Sequence, residues 1–298
     1  MLSSTNKLFK PIYFQFGILV VVFVGLYFPF IRALVLDWSL NDNYSHGYII
    51  PFISAFMIYS SRKELQVADI APTNWGLPLI AIGLVQLVVA KTGSEFFLQR
   101  TSMILILFGF SVFFLGKKLT KKICIPLLYL VFMIPIPAII WYKVALPMKL
   151  FASMLSEWLI CSMGIPVLRE GNIIHLAETS LEVVDACSGL RSLISMLALS
   201  SALAYLSRHS SLKKWLLFLS AAPTAVFVNV FRLALTGVLA KEFGEKVAKG
   251  FLHEFSGCLL FILGIMILIG VHVVLSKINI KVVVNRFKKF ELEHIKLV

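Results

Sequence analysis

The chain has 298 residues, of which 59% are hydrophobic and 14% charged, with a mean hydropathy of +0.91 and a net charge of +13. Ordinary soluble domains are about 45–50% apolar and about 25% charged, so a water-soluble globule is excluded. The charge would suggest a nucleic-acid binder if it formed a patch with exposed aromatics. The 25 phenylalanines instead lie mostly inside apolar runs, and no nucleic-acid partner is expected.

Lys7 and Lys10 precede a long apolar segment with no small-residue cleavage site, the pattern of a retained signal anchor. Apolar runs near the ~20 residues that cross a bilayer then recur. They are Pro11–Leu36, Gly47–Ser60, Trp75–Ala90, Ser102–Gly116, Ile123–Ile140, Leu190–Leu206, Trp215–Leu239 and Phe255–Leu275. They predict an all-α integral membrane protein with about eight transmembrane helices, a single multi-pass domain over 1–298. Trp141–Met163 is also apolar but carries Lys143, Lys149, Glu157 and Pro147. Gly164–Asp185 changes to short apolar and polar alternations broken by Gly and Pro, which predict two or three short strands. Residues 277–298 read as a basic tail lying along anionic headgroups.

Orientation follows from the distribution of lysine and arginine. The amino end, Arg62–Asp69, Lys117–Lys122, Arg208–Lys214 and the tail from Lys277 fall on one side of eight alternating spans. That side holds 17 Lys and Arg against 4 Asp and Glu, and the rest holds 11 and 11. The excess marks the cytoplasm and predicts both termini inside. A ninth span at Trp141–Met163 would move the Lys213–Lys214 loop and the tail outside. That segment is therefore expected as an interfacial or re-entrant helix, forming with the strands an extracytoplasmic region over 141–186.

A charged side chain within a span costs about 2.5–3.5 kcal/mol on insertion scales, so each needs a reason. Arg232 lies 17 residues past Trp215, about 26 Å along a helix, in the outer leaflet. Cys187 opens one span from the outer side in "DACSGLRSL", and His253 opens the last in "FLHEFSG". A Cys, an Arg and a His are thus expected at one depth. A thiol at a helix start meets unsatisfied N–H groups that favour the thiolate, and Ser188 and Gly189 permit a tight turn. A histidine can move a proton, and an arginine can hold a developing oxyanion. Arg191, four residues after Cys187, is expected on the same helix face, tuning the thiolate or binding lipid phosphate.

Cys124, Cys161 and Cys258 read as small apolar packers, with a Cys187–Cys161 disulfide as the oxidised alternative. His253 taken alone is as readily an interfacial histidine as a proton carrier. No metal or cofactor is expected: Gly257 occupies the place where a zinc-protease helix needs its second histidine, and His46 and His175 have no helical spacing to His253.

The chain resembles the exosortase/archaeosortase family of multi-pass membrane cysteine proteases and transpeptidases. The resemblance rests on six segments in order: "YSHGYIIPFIS" at Tyr44–Ser54, "FMIPIP" at Phe132–Pro137, "GIPVLREGNIIHL" at Gly164–Leu176, "ACSGLRSL" at Ala186–Leu193, "NVFRL" at Asn229–Leu233 and "HEFSG" at His253–Gly257. It implies a catalytic Cys187, Arg232 and His253. Cys187 would be the nucleophile that carries an acyl-thioester. Arg232 would orient the oxyanion or substrate, or donate a proton, and His253 would shuttle the proton or stabilise the transition state. It also implies a bacterial inner-membrane location with an extracytoplasmic site. The substrates would be membrane-anchored secreted proteins whose C-terminal sorting signal has a Pro-Glu-Pro type motif, a transmembrane helix and a basic cluster, with an acceptor nucleophile to take the acyl group. Relatives of this kind occur in bacteria that make extracellular polysaccharide. The alternative is a non-enzymatic transporter or polysaccharide-export component in which Arg232 binds an anionic solute, although few polar residues lie near the midplane.

Overall fold

The computed structural model describes residues 5–67, 70–176, 180–183, 189–243 and 251–278, with backbone only at 5–16, 242–243 and 251–256. The elements run α1 (Thr5–Leu40), α2 (Ile50–Ser60), α3 (Arg62–Gln66), α4 (Gly76–Thr92), α5 (Phe96–Leu115), α6 (Lys117–Tyr129) and α7 (Ala138–Ser162). Then come β1 (Leu168–Glu170), β2 (Ile173–His175) and β3 (Ser180–Glu182), followed by α8 (Leu190–Leu206), α9 (Ser211–Leu219), α10 (Ala221–Phe243) and α11 (Phe251–Lys277). Short 3-10 turns occupy Asp42–Tyr48 and Leu130–Met133. The chain forms two compact units, Met1–Pro135 and Ile136–Val298.

The protein is mostly helical. Among the described residues, five segments are long and apolar enough to cross a membrane: Gly17–Leu40, Phe96–Leu115, Ala138–Ser162, Ser211–Lys241 and Gly257–Lys277. Helices α4 and α8 are also apolar but have 17 residues each. Lipid solvates such surfaces, which is why large apolar side chains such as Val21, Phe52 and Trp158 stand exposed along them.

In the first unit the 3-10 turn after α1 is held from several sides. Trp38 donates from Nε1 to the Met133 carbonyl (2.8 Å), a ring nitrogen of His46 lies 3.2 Å from the Phe132 carbonyl, and Ser54 donates to the Pro126 carbonyl (2.7 Å). The "YSHGY" and "FMIP" segments thus brace one another. An ion pair of the buried Arg100 with the partly exposed Asp37 joins α5 to α1 and meets the need of a charge within a span for a partner.

The expected span Ile123–Ile140 does not form one helix. α6 stops at Tyr129, and after the 3-10 turn the backbone is extended at Ile134 (φ −92°, ψ 123°). The cause is local: Pro135 and Pro137 have no N–H and push the residues before them out of the helical region. A new helix, α7, starts at Ala138 and runs unbroken for 25 residues.

In the second unit α10 is central. Met148, Phe151 and Ala152 of α7 meet Val226 and Asn229, Ser156 donates to the Val230 carbonyl (3.3 Å), and Ile160 packs on Gly237. Numbers rise together on the two helices, so α7 runs parallel to α10 over about 18 Å. α8 and α11 run the opposite way: Gly189 meets Asn229 while Met196 clusters with Ala225 and Ala221, and Gly257 meets Arg232 while Gly264 meets Val228. His209, between α8 and α9, contacts His272 of α11 at 3.1 Å.

The expected short strands form a three-stranded antiparallel sheet in the order β1-β2-β3. Ile174, Leu181 and Val183 turn inward and join Ile160 of α7 with Val230, Leu233 and Ala234 of α10 in one buried cluster. Polar ties fix the outer edge. Arg169 pairs with Glu157 at 2.9 Å, and Ser153 donates to the Gly171 carbonyl at 3.3 Å. The sheet is therefore fastened to the α7–α10 pair beside Arg232.

Candidate active site

Arg232 sits in the middle of α10, half-buried, with its Nε shielded from solvent. One turn earlier on the same face is Asn229, 2% exposed, whose Oδ1 accepts a hydrogen bond from Arg232 Nη2 at 3.0 Å. The guanidinium thus reaches back along its own helix to this amide.

Gly189 approaches the other side of Asn229. It adopts the left-handed conformation (φ 82°, ψ −3°) and forms the N-cap of α8, as a tight turn there requires. A Cβ added at this glycine would lie 3.0 Å from Cγ and Nδ2 of Asn229, so the bare backbone is what lets the turn close on the amide. Met148, Phe151 and Ala152 of α7, with Gly189, Val226 and Asn229, enclose a small apolar pocket of about 20 Å³ at this junction.

On the third side α11 brings up Gly257, where an added Cβ would lie 3.8 Å from Arg232 Nη1. The place a zinc-protease helix would give to its second histidine is therefore where the guanidinium meets the helix. Position 253 lies four residues earlier in α11, about 6 Å along the axis and on the same side.

Of the three expected catalytic residues, Arg232 is described in full, His253 is placed by its backbone, and Cys187 lies outside the described residues. The segments that carry them converge: "ACSGLRSL" through Gly189, "NVFRL" through Asn229 and Arg232, and "HEFSG" through Gly257. α8 begins at Leu190, after a left-handed Gly189, and the expected relation of Cys187 to Arg191 lies outside the described residues. Cys124 is half-buried, Cys161 and Cys258 are exposed, and all three are free thiols, so Cys161 forms no disulfide. His175 packs within the sheet, with Nδ1 3.0 Å from Ser180 Oγ and Nε2 3.5 Å from Glu170.

Sequence reasoning passed over Asn229. Its signal was present: a polar side chain three residues before an arginine in an apolar span stands on the arginine's own face.

The fold and this junction define a class: a multi-pass helical membrane protein with an arginine, a helix-start turn and a glycine-bearing helix gathered at one place. The family model for transmembrane exosortases (Exosortase_EpsH) matches residues 38–270, and the chain belongs to that family. Neither a curated protein nor a solved structure matches it.

Proposed function

We propose that the protein is a membrane-embedded cysteine transpeptidase that cleaves C-terminal sorting signals of secreted proteins through an acyl-thioester on Cys187. The observation that supports this most is the convergence of the three motif segments on Arg232. Covalent geometry keeps the Cα of residue 187 within about 7–8 Å of that of Gly189, which touches the amide that holds the guanidinium.

In the first half-reaction the Cys187 thiolate attacks a peptide carbonyl carbon, and the oxygen gains charge beside Arg232. The intermediate collapses, the C–N bond breaks, and the leaving amine takes a proton from His253. An acceptor amine or water then attacks the thioester carbonyl and gives its proton to His253, and the C–S bond breaks to restore the thiolate. Arg232 keeps its proton throughout, which suits it to charge stabilisation and leaves the proton transfer to His253. The anionic-solute transporter reading gains no support from the small apolar lining of the pocket at this junction.

The test is capture of the acyl-enzyme. In cells that also make a secreted protein with a Pro-Glu-Pro motif, membrane helix and basic cluster, mass spectrometry of the protein should find a substrate-derived thioester on Cys187. A thiol unmodified under turnover, with cleavage in progress, would overturn the mechanism.

The one-sided distribution of lysine and arginine supports an orientation that puts this chemistry outside the cytoplasm, with both termini inside. Reporter fusions after Lys121 and Lys213 should then report cytoplasm, and those after Glu170 and Glu245 the outside. A cytoplasmic report at Glu170 would place the sheet on the wrong side for the substrate.

A further inference from the structure

We infer that the start of α6, together with α3, is a binding surface for the headgroups of anionic phospholipids at the membrane–water boundary of the first unit. The inference does not depend on the Cys187 chemistry proposed above.

Its place follows from the packing of α4 and α5. α5 is long and apolar enough to cross a membrane, and α4 lies antiparallel along it, with Gly76 against Gly109 and Phe113 and Gly83 against Ile106. At that end the chain before α4 runs back along the end of α5: the Ala71 N–H donates to the Leu115 carbonyl at 3.3 Å and the Thr73 N–H to the Phe113 carbonyl at 3.2 Å. Gly116, at φ 86°, then turns the chain into α6 so close to this segment that an added Cβ would lie 2.1 Å from the Ala71 carbonyl oxygen. α6 therefore begins where α5 leaves the hydrocarbon, at the depth of the headgroups.

The charge at this place is one-sided. Lys117, Lys118, Lys121 and Lys122 all lie in the first six residues of α6 and all are exposed, while Leu119, Thr120 and Ile123 are buried. Lys122 Nζ donates to the Glu64 carbonyl at 2.8 Å, which brings α3 alongside with its exposed Arg62 and Lys63. Glu64 is the only acidic residue in these two helices. Lysines three and four apart face one another on the helix, and all four crowd its positive end, where the first turn has no acidic residue. The chain thus gathers cations where they repel each other and the helix dipole, and an external anion relieves both.

The aromatic rings beneath these cations identify the anion's carrier. Lys117 Nζ sits 4.3 Å from the centre of the Trp75 ring, and Arg62 Cζ sits 3.9 Å from that of Tyr59. Trp75 immediately precedes α4 and Tyr59 is in the last turn of α2, and both are mostly exposed. Exposed indole and phenol rings at the ends of apolar helices are the mark of the bilayer interface. An acidic protein arriving from water would meet the lysines but has no use for the rings. A phospholipid sets its phosphate against the cations and its glycerol and upper chains against the rings.

Tryptophan emission tests this. The full-length protein is reconstituted in phosphatidylcholine vesicles with a minor fraction of phosphatidylglycerol, and either lipid carries bromine on its upper acyl chains as a quencher. Brominated phosphatidylglycerol should quench about two-fold more than brominated phosphatidylcholine at the same mole fraction. The excess should vanish in Trp75→Phe, which locates it at this surface, and in the wild type it should fall as salt is raised. Lys118→Gln/Lys121→Gln removes two cations that make neither the Trp75 nor the Glu64 contact and should halve the excess or more, whereas Lys118→Arg/Lys121→Arg should keep it. Equal quenching by the two lipids would overturn the inference and leave the surface to an acidic protein. So would an excess that persists in Trp75→Phe, or one that salt leaves unchanged in the wild type, a measurement that needs no variant to fold.

Discussion

Cys187→Ala brings cleavage of a sorting-signal substrate to background while the protein accumulates in the membrane as before. In the proposed mechanism the thiol is the atom to which the acyl group is transferred, so its removal would delete the intermediate and with it the reaction path. The loss is not structural, because alanine fits wherever a small thiol fits. The other cysteines supply the control. Cys161 and Cys258 are exposed on α7 and α11, and Cys124 is half-buried in α6. Cys258 directly follows Gly257, yet a single residue step turns it about 100° around the helix from the side that faces Arg232. Alanine at any of these three leaves cleavage intact. The assay is gel mobility of the substrate at equal enzyme abundance, and cleavage by Cys187→Ala at the wild-type rate would rule out a cysteine nucleophile.

Arg232→Lys lowers activity about 10²-fold or more with the protein still folded. Lysine keeps the positive charge and the apolar stem but replaces a planar fork with a single rotatable ammonium. Two demands then compete for one head group. Nη2 of the arginine is committed to Asn229 while Nη1 is directed towards Gly257 and α11, a division that an ammonium cannot reproduce. Loss of one aimed donor to an oxyanion typically costs 10²–10³ in rate. Turnover of one substrate by the two proteins checks this, and near-equal rates would remove Arg232 from the chemistry and leave Cys187 and His253 as a dyad.

Much of this was legible in the sequence because the bilayer imposes simple rules. Runs of apolar residues announced α1, α5, α10 and α11, and alternation broken by Gly and Pro announced the sheet. Arg232 was found because a charge inside an apolar run costs energy and so needs a use. What failed was a question of helix continuity: counting apolar residues from Ile123 to Ile140 gave a span, although Pro135 and Pro137 within it deny the backbone a helix. Asn229 was missed for a different reason. An uncharged amide costs less in a span than an arginine, so a search for expensive residues passes it by. Its meaning arises only when Gly189, 40 positions earlier in the chain, is seen against it.

The parallel packing of α7 on α10 has a consequence for how the protein is made. α7 leaves the ribosome about 80 residues before the end of α10, and it is the least apolar of the five segments long enough to cross. It carries Lys143, Lys149, Glu157 and a mid-helix Pro147, and Glu157 finds its partner Arg169 only in the strand that follows. Its contacts through Ala152, Ser156 and Ile160 are all with residues not yet synthesised. Secure placement of α7 is therefore post-translational in character, completed when α10 arrives, and the same event brings Asn229 up to Gly189. Assembly of the junction is in this way coupled to the last steps of membrane insertion.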